Sequence, residues 1–364
     1  MKPTEMPVLR LTANSIWTSF RSSGKQHIIL TGNIGSGKTT LLSKLFPETR
    51  PGITTWAEPY KSVFMKDNLT GETVKIAEYD ESITGTVAKM VLIEDRMAAF
   101  GAAILKRCIN SESEWITVDE IGFLEEKCAS FQKRIRDLFE QKHVAAVVRK
   151  QDLPFLNELR CREDVFLIDL DKPFGNCGCV IMASGLGKRF GENKLMADFF
   201  GQPLIAQILN ITDNIFTKRV VVTRHEDVAE LCKERNIPFL LHDLPHRSDT
   251  VRLGLEAIGD VEQCMFCPGD QPVLSRNTIL SLLLCASNDP EQIWRPCCEG
   301  TPGSPALFPR QCFPELMNLP EGKGGGVIMK KYPEKVSRME IMNPWELVDA
   351  DTPEILETLK GKAL

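Results

Sequence analysis

The chain has 364 residues, 43% hydrophobic and 26% charged, with a net charge of −5. Such a length allows two domains with sizeable cores, and the composition is that of a globular protein. The mildly acidic balance excludes a general nucleic-acid binder, which needs a basic face, and no apolar run reaches the length of a membrane span.

Residues 1–26 are weakly patterned, with a short helix expected around Ala13–Phe20, and read as an N-terminal extension. They carry no continuous apolar segment of the signal-peptide kind, so a cytoplasmic chain is expected, its 12 cysteines reduced. His27–Thr31 reads as a strand. It runs into Gly32-Asn33-Ile34-Gly35-Ser36-Gly37-Lys38-Thr39 and then a helix from Thr40. This is the G-x-x-x-x-G-K-T phosphate loop in the strand–loop–helix setting it requires. The backbone of Gly32, Asn33, Gly35, Ser36 and Gly37 and the helix start at Thr40 are expected around a triphosphate. Lys38 then reaches the β- and γ-phosphates, and Thr39 supplies a Mg2+ ligand. The apolar strand Trp115–Val118 ends in Asp119 and Glu120. Asp119 is expected to hold the Mg2+ and Glu120 to polarise an attacking water.

The run continues D-E-I-G-F-L-E, from Asp119 to Glu125. With Gly52-Ile53-Thr54-Thr55, a hairpin pattern over Val63–Asp80 and an aromatic at Phe131, it resembles the THEP1-type nucleoside-triphosphatases from Gln26 to Asp171. The resemblance implies a Mg2+-dependent hydrolase of ATP or GTP. Arg149 and Lys150 are the candidates for its catalytic cation. Asp164–Asp171 reads as the last strand of this unit, and Asp171–Asn176 as a turn-rich joint. The first domain is thus drawn at 27–172 and the second at 177–364.

In the second half, Val180–Met182 is an apolar strand emptying into a loop with Gly185, Gly187 and Gly191 and the cations Lys188, Arg189 and Lys194. Glycines let backbone N–H groups approach an anion, and the cations neutralise it. Ala183, Ser184, Gly185, Gly187 and Lys188 are expected on the nucleotide, with Arg189 and Lys194 on the phosphate that becomes the leaving group. Strands at Arg219–Val222 and Pro238–Leu241 flank a helix at His225–Arg235, which predicts a parallel, Rossmann-like sheet. Within the helix start at His246–Leu255, polar residues offer an N-cap and hydrogen bonds to a base or ribose. The strand Gln263–Cys267 ends in Pro268-Gly269-Asp270-Gln271-Pro272. A carboxylate there sits where ligands bind in open α/β sheets. Cys264 and Cys267 read as core residues rather than metal ligands.

The glycine loop through Lys194-Leu195, Gly201-Gln202-Pro203-Leu204, G-D-Q-P at Gly269–Pro272, Gly300–Phe308 and Val348–Glu354 together resemble the MobA-like nucleotidyltransferases. Within that family the likeness is to the molybdenum-cofactor cytidylyltransferases. The resemblance implies Mg2+ on Asp270 and Asp349, CTP as the nucleotide with GTP as the alternative, and a molybdopterin-type acceptor. By resemblance to the family's serine-containing turn, Ser248 is the candidate for the base, with Arg247 and Thr250 behind it. The acceptor's phosphate attacks the α-phosphorus and pyrophosphate leaves, so catalysis is positioning and charge neutralisation. Asp351 is expected to turn the chain into a final helix. The stretch Glu321–Gly325 departs from the family pattern by lacking an aspartate. The fusion suggests a molybdenum hydroxylase as partner enzyme. Three other readings stay open: a sugar-phosphate or isoprenoid-precursor nucleotidyltransferase, a non-catalytic maturation chaperone for molybdoenzymes, and a nucleic-acid-processing P-loop protein. G-D-Q-P speaks against the first and the acidic balance against the last.

Overall fold

The computed structural model describes residues 11–58, 61–82, 89–185, 187, 190 and 193–363. Contacts divide the chain into two units. One is Gly24–Pro173; the other is Phe174–Leu364 together with the segment ending at Ser23. The expected edges at 27, 172 and 177 lie within a few residues of these. The expected extension at 1–26 is different in kind. Its helix α1 (Ala13–Ser23) buries Ile16 and Phe20 and belongs to the second unit.

In the first unit the chain runs through β1 (His27–Thr31), α2 (Lys38–Leu45), β2 (Gly52–Glu58), β3 (Ser62–Asp67), β4 (Thr73–Tyr79) and β5 (Met90–Leu92). A helical stretch follows, from α3 (Glu94–Arg96) into α4 (Ala102–Asn110). Then come β6 (Trp115–Ile121), α5 (Ala129–Gln141), β7 (His143–Val148), α6 (Pro154–Arg160) and β8 (Val165–Asp169). The sheet order is β5-β4-β3-β2-β6-β7-β1-β8. Strands β2, β6, β7, β1 and β8 are parallel, and β3–β5 extend the sheet as an antiparallel meander. Every residue of β1 is buried, the pattern of a strand covered on both faces. The expected hairpin is β3–β4. Phe131, fully buried, packs on Gly101, where a Cβ would lie 2.5 Å from its ring.

The second unit continues with β9 (Cys177–Ala183), the short pair β10 (Asp198–Phe199) and β11 (Gln202–Pro203), α7 (Ala206–Ile211), β12 (Lys218–Thr223), α8 (Glu226–Glu234) and β13 (Phe239–Leu241). After α9 (Arg247–Ile258) come β14 (Gln263–Pro268), α10 (Arg276–Asn288), β15 (Ile293–Cys298), β16 (Thr301–Pro302) and β17 (Ala306–Pro309). The chain closes with α11 (Phe313–Met317), α12 (Gly326–Lys331), β18 (Val336–Glu340) and α13 (Pro353–Lys360).

The sheet order is β13-β12-β9-β14-β17-β15-β16, with β18 beside β15. The parallel arrangement expected from the strands at Arg219–Val222 and Pro238–Leu241 is present, and antiparallel strands extend it. Strands β13, β12, β9 and β14 are parallel, but β17 runs antiparallel to β14 and β15, and β16 is antiparallel to β15. Only Glu299-Gly300 joins β15 to β16, both with positive φ (50° and 79°). A two-residue link makes a hairpin, whereas a parallel pair needs a crossover. Gly254 of α9 meets β9 closely, since a Cβ there would lie 2.5 Å from Val180 Cγ1. Helix α1 lies along α10. Ser19 Oγ donates to Ser281 O (3.0 Å), Ser281 Oγ donates to Ser15 O (3.2 Å), and Glu340 N donates to Ser22 Oγ (3.3 Å). Among the described residues no helix is long and apolar enough to cross a membrane.

Candidate active sites

In the first unit the parallel strands deliver their C-terminal ends to one edge of the sheet. The loop after β1, the end of β6 and the residues after β7 meet there around a cavity of about 530 Å3. Gly35 and Gly37 have φ of 81° and 89°, which turn the loop into the start of α2. Lys38 is buried, its Nζ donating to Gly32 O (2.9 Å) and Asn33 O (2.7 Å). The ammonium thus braces the loop it arises from. Thr39 Oγ1 donates to Asp119 Oδ1 at 3.2 Å, so the two expected metal ligands are neighbours. Burial raises the Asp119 carboxyl above its usual range.

Glu120 is not free. Arg149 Nε donates to its Oε1. Thr55 Oγ1 donates to Glu120 O (2.9 Å) and accepts from Glu120 N (3.0 Å), so the threonine of Gly52–Thr55 fixes the backbone of Glu120. Glu125, the last residue of the D-E-I-G-F-L-E run, accepts from Gly122 N at 2.7 Å, and burial pushes its carboxyl up to about 7. Lys150 Nζ lies 2.6 Å from Asp169 and 3.0 Å from Asp171. Asn33 N donates to both oxygens of Asp171, at 3.1 and 3.0 Å. The joint residue Asp171 therefore grips the phosphate loop, a contact sequence reasoning misses because nothing local marks it.

In the second unit the end of β9, the start of α9, the end of β14 and the segment before α13 enclose a cavity of about 420 Å3. Lys188, Arg189 and Gly191 lie outside the described residues. Ser184 Oγ donates to Val222 O (3.1 Å) and pairs with His242 Nε2 (2.8 Å). Gly185 O is 2.9 Å from His225 Nε2, and Gly187 has a φ of 55°. Lys194 is buried, with Nζ 2.5 Å from Asp270 Oδ2 and 2.9 Å from Asp351 Oδ1. Burial alone would lower its pKa; the two carboxylates more than offset that and hold it raised. Asp349 shares the cavity and accepts from Gln271 Nε2 at 2.9 Å. Burial, then the nearby Asp270 carboxylate, raise its pKa.

The turn into α9 differs in detail from the sequence reading. His246 is the N-cap, in a reciprocal pair with Asp249. Arg247 and Thr250 line the cavity, and Ser248 is not part of that wall. Thr250 is 1% exposed, and its Oγ1 has no hydrogen-bond partner among the described residues. Arg224, just after β12, also lines the cavity and carries no sequence signal of that role. At the end of the chain Thr352 caps α13, with Pro353 in its first turn, as expected. Asp351 also reaches back to Lys194, a contact the sequence does not suggest. Cys264 and Cys267 are buried in the core, and burial pushes both thiols up. Another cavity of about 530 Å3, at the opposite ends of β12 and β13, holds none of the motif residues, and its Arg219 is committed to Leu209 O, Thr212 and Asp213.

Both carboxylate sets suit a hard cation. Mg2+ takes oxygen ligands and is commonly held by one or two carboxylates plus substrate phosphates. Thr39 with Asp119, and Asp270 with Asp349, are donor sets of that kind. No cluster of three or more His, Cys, Asp or Glu side chains at metal-ligand spacing is found among the described residues.

Residues 27–174 match the family model of an NTPase, and residues 179–336 match that of the MobA-like NTP transferase domain. The nucleoside-triphosphatase THEP1 of Thermotoga maritima is 30% identical over 151 residues, 40% of this chain and 86% of that protein. A probable molybdenum cofactor guanylyltransferase of Bacillus anthracis is 29% identical over 115 residues, 30% of this chain. The match spans 56% of that relative's length. Among solved structures, a nucleotidyl transferase from Methanothermobacter is 18% identical with a TM-score of 0.44, covering 51% of this chain and 97% of that one.

Proposed function

The chain belongs to the THEP1-type nucleoside-triphosphatases through residues 27–174 and carries a MobA-like NTP transferase domain over residues 179–336, and from that pairing we propose a separate phosphate chemistry for each unit. The second unit transfers a nucleoside monophosphate to a phosphate-bearing acceptor and releases pyrophosphate. The acceptor is a molybdopterin-type molecule. The observation that carries this reading is Lys194 joined to Asp270, with Asp349 in the same cavity. A phosphate nucleophile is already ionised near neutral pH, so the chain needs no strong base; it must orient two anions and offset their repulsion. Asp270 and Asp349 would hold the Mg2+, which supplies charge neutralisation between the two phosphates. Lys194 and Arg224 add positive charge on the nucleotide side, and Thr250 Oγ1, which has no hydrogen-bond partner among the described residues, is offered to the base or ribose. Arg189 and Lys188 are proposed to complete this set.

CTP is the nucleotide favoured by the sequence. GTP is the second reading, favoured by the guanylyltransferase names of the matched relatives. The test is pyrophosphate release from CTP, GTP and ATP, each with and without molybdopterin. Acceptor-dependent release with one nucleotide, abolished by Asp270→Ala, is the expected result. Release that ignores the acceptor, or none with any nucleotide, overturns the assignment.

The first unit hydrolyses ATP or GTP. The loop Gly32–Gly37 and Lys38 hold the phosphates, while Thr39 and Asp119 would hold a second Mg2+. Glu120 orients the water once Arg149 has turned from it to the γ-phosphate. A molybdenum hydroxylase as recipient of the finished cofactor is proposed from the pairing of the two units.

A further inference from the structure

Two carboxylates, Asp270 and Asp351, hold one ammonium in the second cavity, and Asp349 lines the same cavity. The backbone places them: Ala350 N donates to Asp270 O at 2.8 Å, which locks the closing segment against the end of β14. Asp351 N donates to Asp349 O at 2.9 Å, a three-residue turn centred on Ala350. Ala350 is buried, while Asp349 and Asp351 on either side of it turn toward Asp270 and Lys194. The two aspartates are nevertheless engaged differently. Asp349 is held by Gln271 (2.9 Å), whereas Asp351 is held by Lys194 (2.9 Å). Lys194 in turn spans Asp270 and Asp351, its side chain 8% exposed. A positive charge already sits where a cation on Asp270 would have to sit.

We propose that Lys194 is a built-in placeholder for the cation of Asp270, and that Asp351 is the positioning residue that keeps hold of it when the cation arrives. The ammonium gives up Asp270, because two positive charges repel across one carboxylate, and keeps its bond to Asp351. Asp351 is 42% exposed against 20% for Asp270, so the pivot lies on the more open side. Lys194 then swings outward toward the phosphates, still charged and still aimed. An ammonium suits such a swing, being a compact charge on a flexible stem. The inference rests on the transferase reading of this cavity.

The test is Mn2+ binding to the nucleotide-free full chain, followed by the loss of the free-Mn2+ paramagnetic resonance signal. An Asp119→Ala background removes the other unit's metal site. Lys194→Met should bind Mn2+ about tenfold more tightly than the background protein, the equivalent of ~1.4 kcal/mol of competition removed. Lys194→Gln should do the same, which separates charge from side-chain packing. Asp351→Asn should bind Mn2+ as the background does, yet lose at least about tenfold in the rate of pyrophosphate release, with partial recovery in Asp351→Glu. Lys194 variants that bind Mn2+ no more tightly overturn the placeholder. An Asp351→Asn protein that loses Mn2+ as Asp270→Asn does makes Asp351 a ligand and overturns its positioning role. A background protein that binds no Mn2+ sinks both. Tight Mn2+ binding with no pyrophosphate release from any nucleotide refutes the transferase reading, while the gain in Lys194→Met still supports the placeholder.

Discussion

Ile16 shows most directly which unit α1 serves. It is fully buried, although it stands eight residues ahead of the first residue of the other unit, Gly24. Ile16→Ala removes three carbon atoms from a packed site, and such truncations cost about 2–5 kcal/mol. Taking ~3 kcal/mol, and ~2–4 °C per kcal/mol for a unit of about 150–250 residues, the melting temperature should fall by about 6–12 °C. Differential scanning calorimetry of the full chain measures this if its two transitions are assigned. Mg2+ with a non-hydrolysable ATP analogue should raise only the NTPase transition, by linkage. Ile16→Ala should lower the other one. The exposed Asn14→Ala should move neither by more than ~0.5 kcal/mol, as expected for a surface site. A shift of the NTPase transition by Ile16→Ala, or no shift at all, would refute the placement of α1.

Glu125→Gln should change the pH dependence of NTPase-unit stability. A carboxyl held at about 7 binds a proton in the folded state that the unfolded chain gives up near its ordinary value of 4.5. Wild-type stability therefore declines as pH rises from about 4.5 to about 7 and is level above that, a total of order 3 kcal/mol. Glutamine still accepts from Gly122 N and does not titrate, so the variant should gain on wild type at pH 8 and little at pH 5; equal effects at both pH values would contradict this. Thr250→Val removes a buried hydroxyl with no partner among the described residues, so stability to urea should hold, while affinity for the transferase nucleotide falls by roughly fivefold to tenfold, the worth of one hydrogen bond. Unchanged affinity by calorimetry would remove Thr250 from the site. Arg149→Gln should lower NTP hydrolysis by about 10²-fold or more if this guanidinium serves the γ-phosphate, since arginines in that role contribute about 10³–10⁵ in related reactions. Pyrophosphate release by the other unit should be untouched; a normal hydrolysis rate leaves Arg149 as a structural partner of Glu120.

What can be read ahead of the structure follows the range of the interactions. The phosphate loop is contiguous, so Gly32 to Thr39 carry their own context: apolar strand before, helix after. Asp119 lies 80 residues from Thr39, but it closes an apolar strand and so is legible. The Glu120–Arg149 pair joins the ends of two neighbouring strands, and the Asp171–Asn33 contact joins a joint to a loop 138 positions away. Neither has a local signature. Ser248 is a matter of helix phase. Arg247, Thr250 and Gly254 are spaced three and four apart and share a face, while Ser248 lies a quarter-turn around from Arg247. The antiparallel strands β16 and β17 have two and four residues and are set among Gly and Pro, so the alternation that announces the parallel strands is absent there. For α1 the apolar spacing tells of a buried face but not of what buries it.

The bond between Ser281 Oγ and Ser15 O closes a gap of 266 positions along the chain. On a ribosome α1 is made before the P-loop unit, yet α10 emerges only after the whole of that unit has been synthesised. The intervening unit has its own sheet and core and can fold as soon as it clears the tunnel, as domains generally do during synthesis. Helix α1, at 11 residues, is too short to be stable alone in water, so it must wait with Ile16 and Phe20 uncovered. A segment synthesised ahead of the P-loop unit is thereby among the last of its own unit to find its place. A nascent chain halted before Arg276 should be cut by protease within residues 11–23 while the P-loop unit already resists.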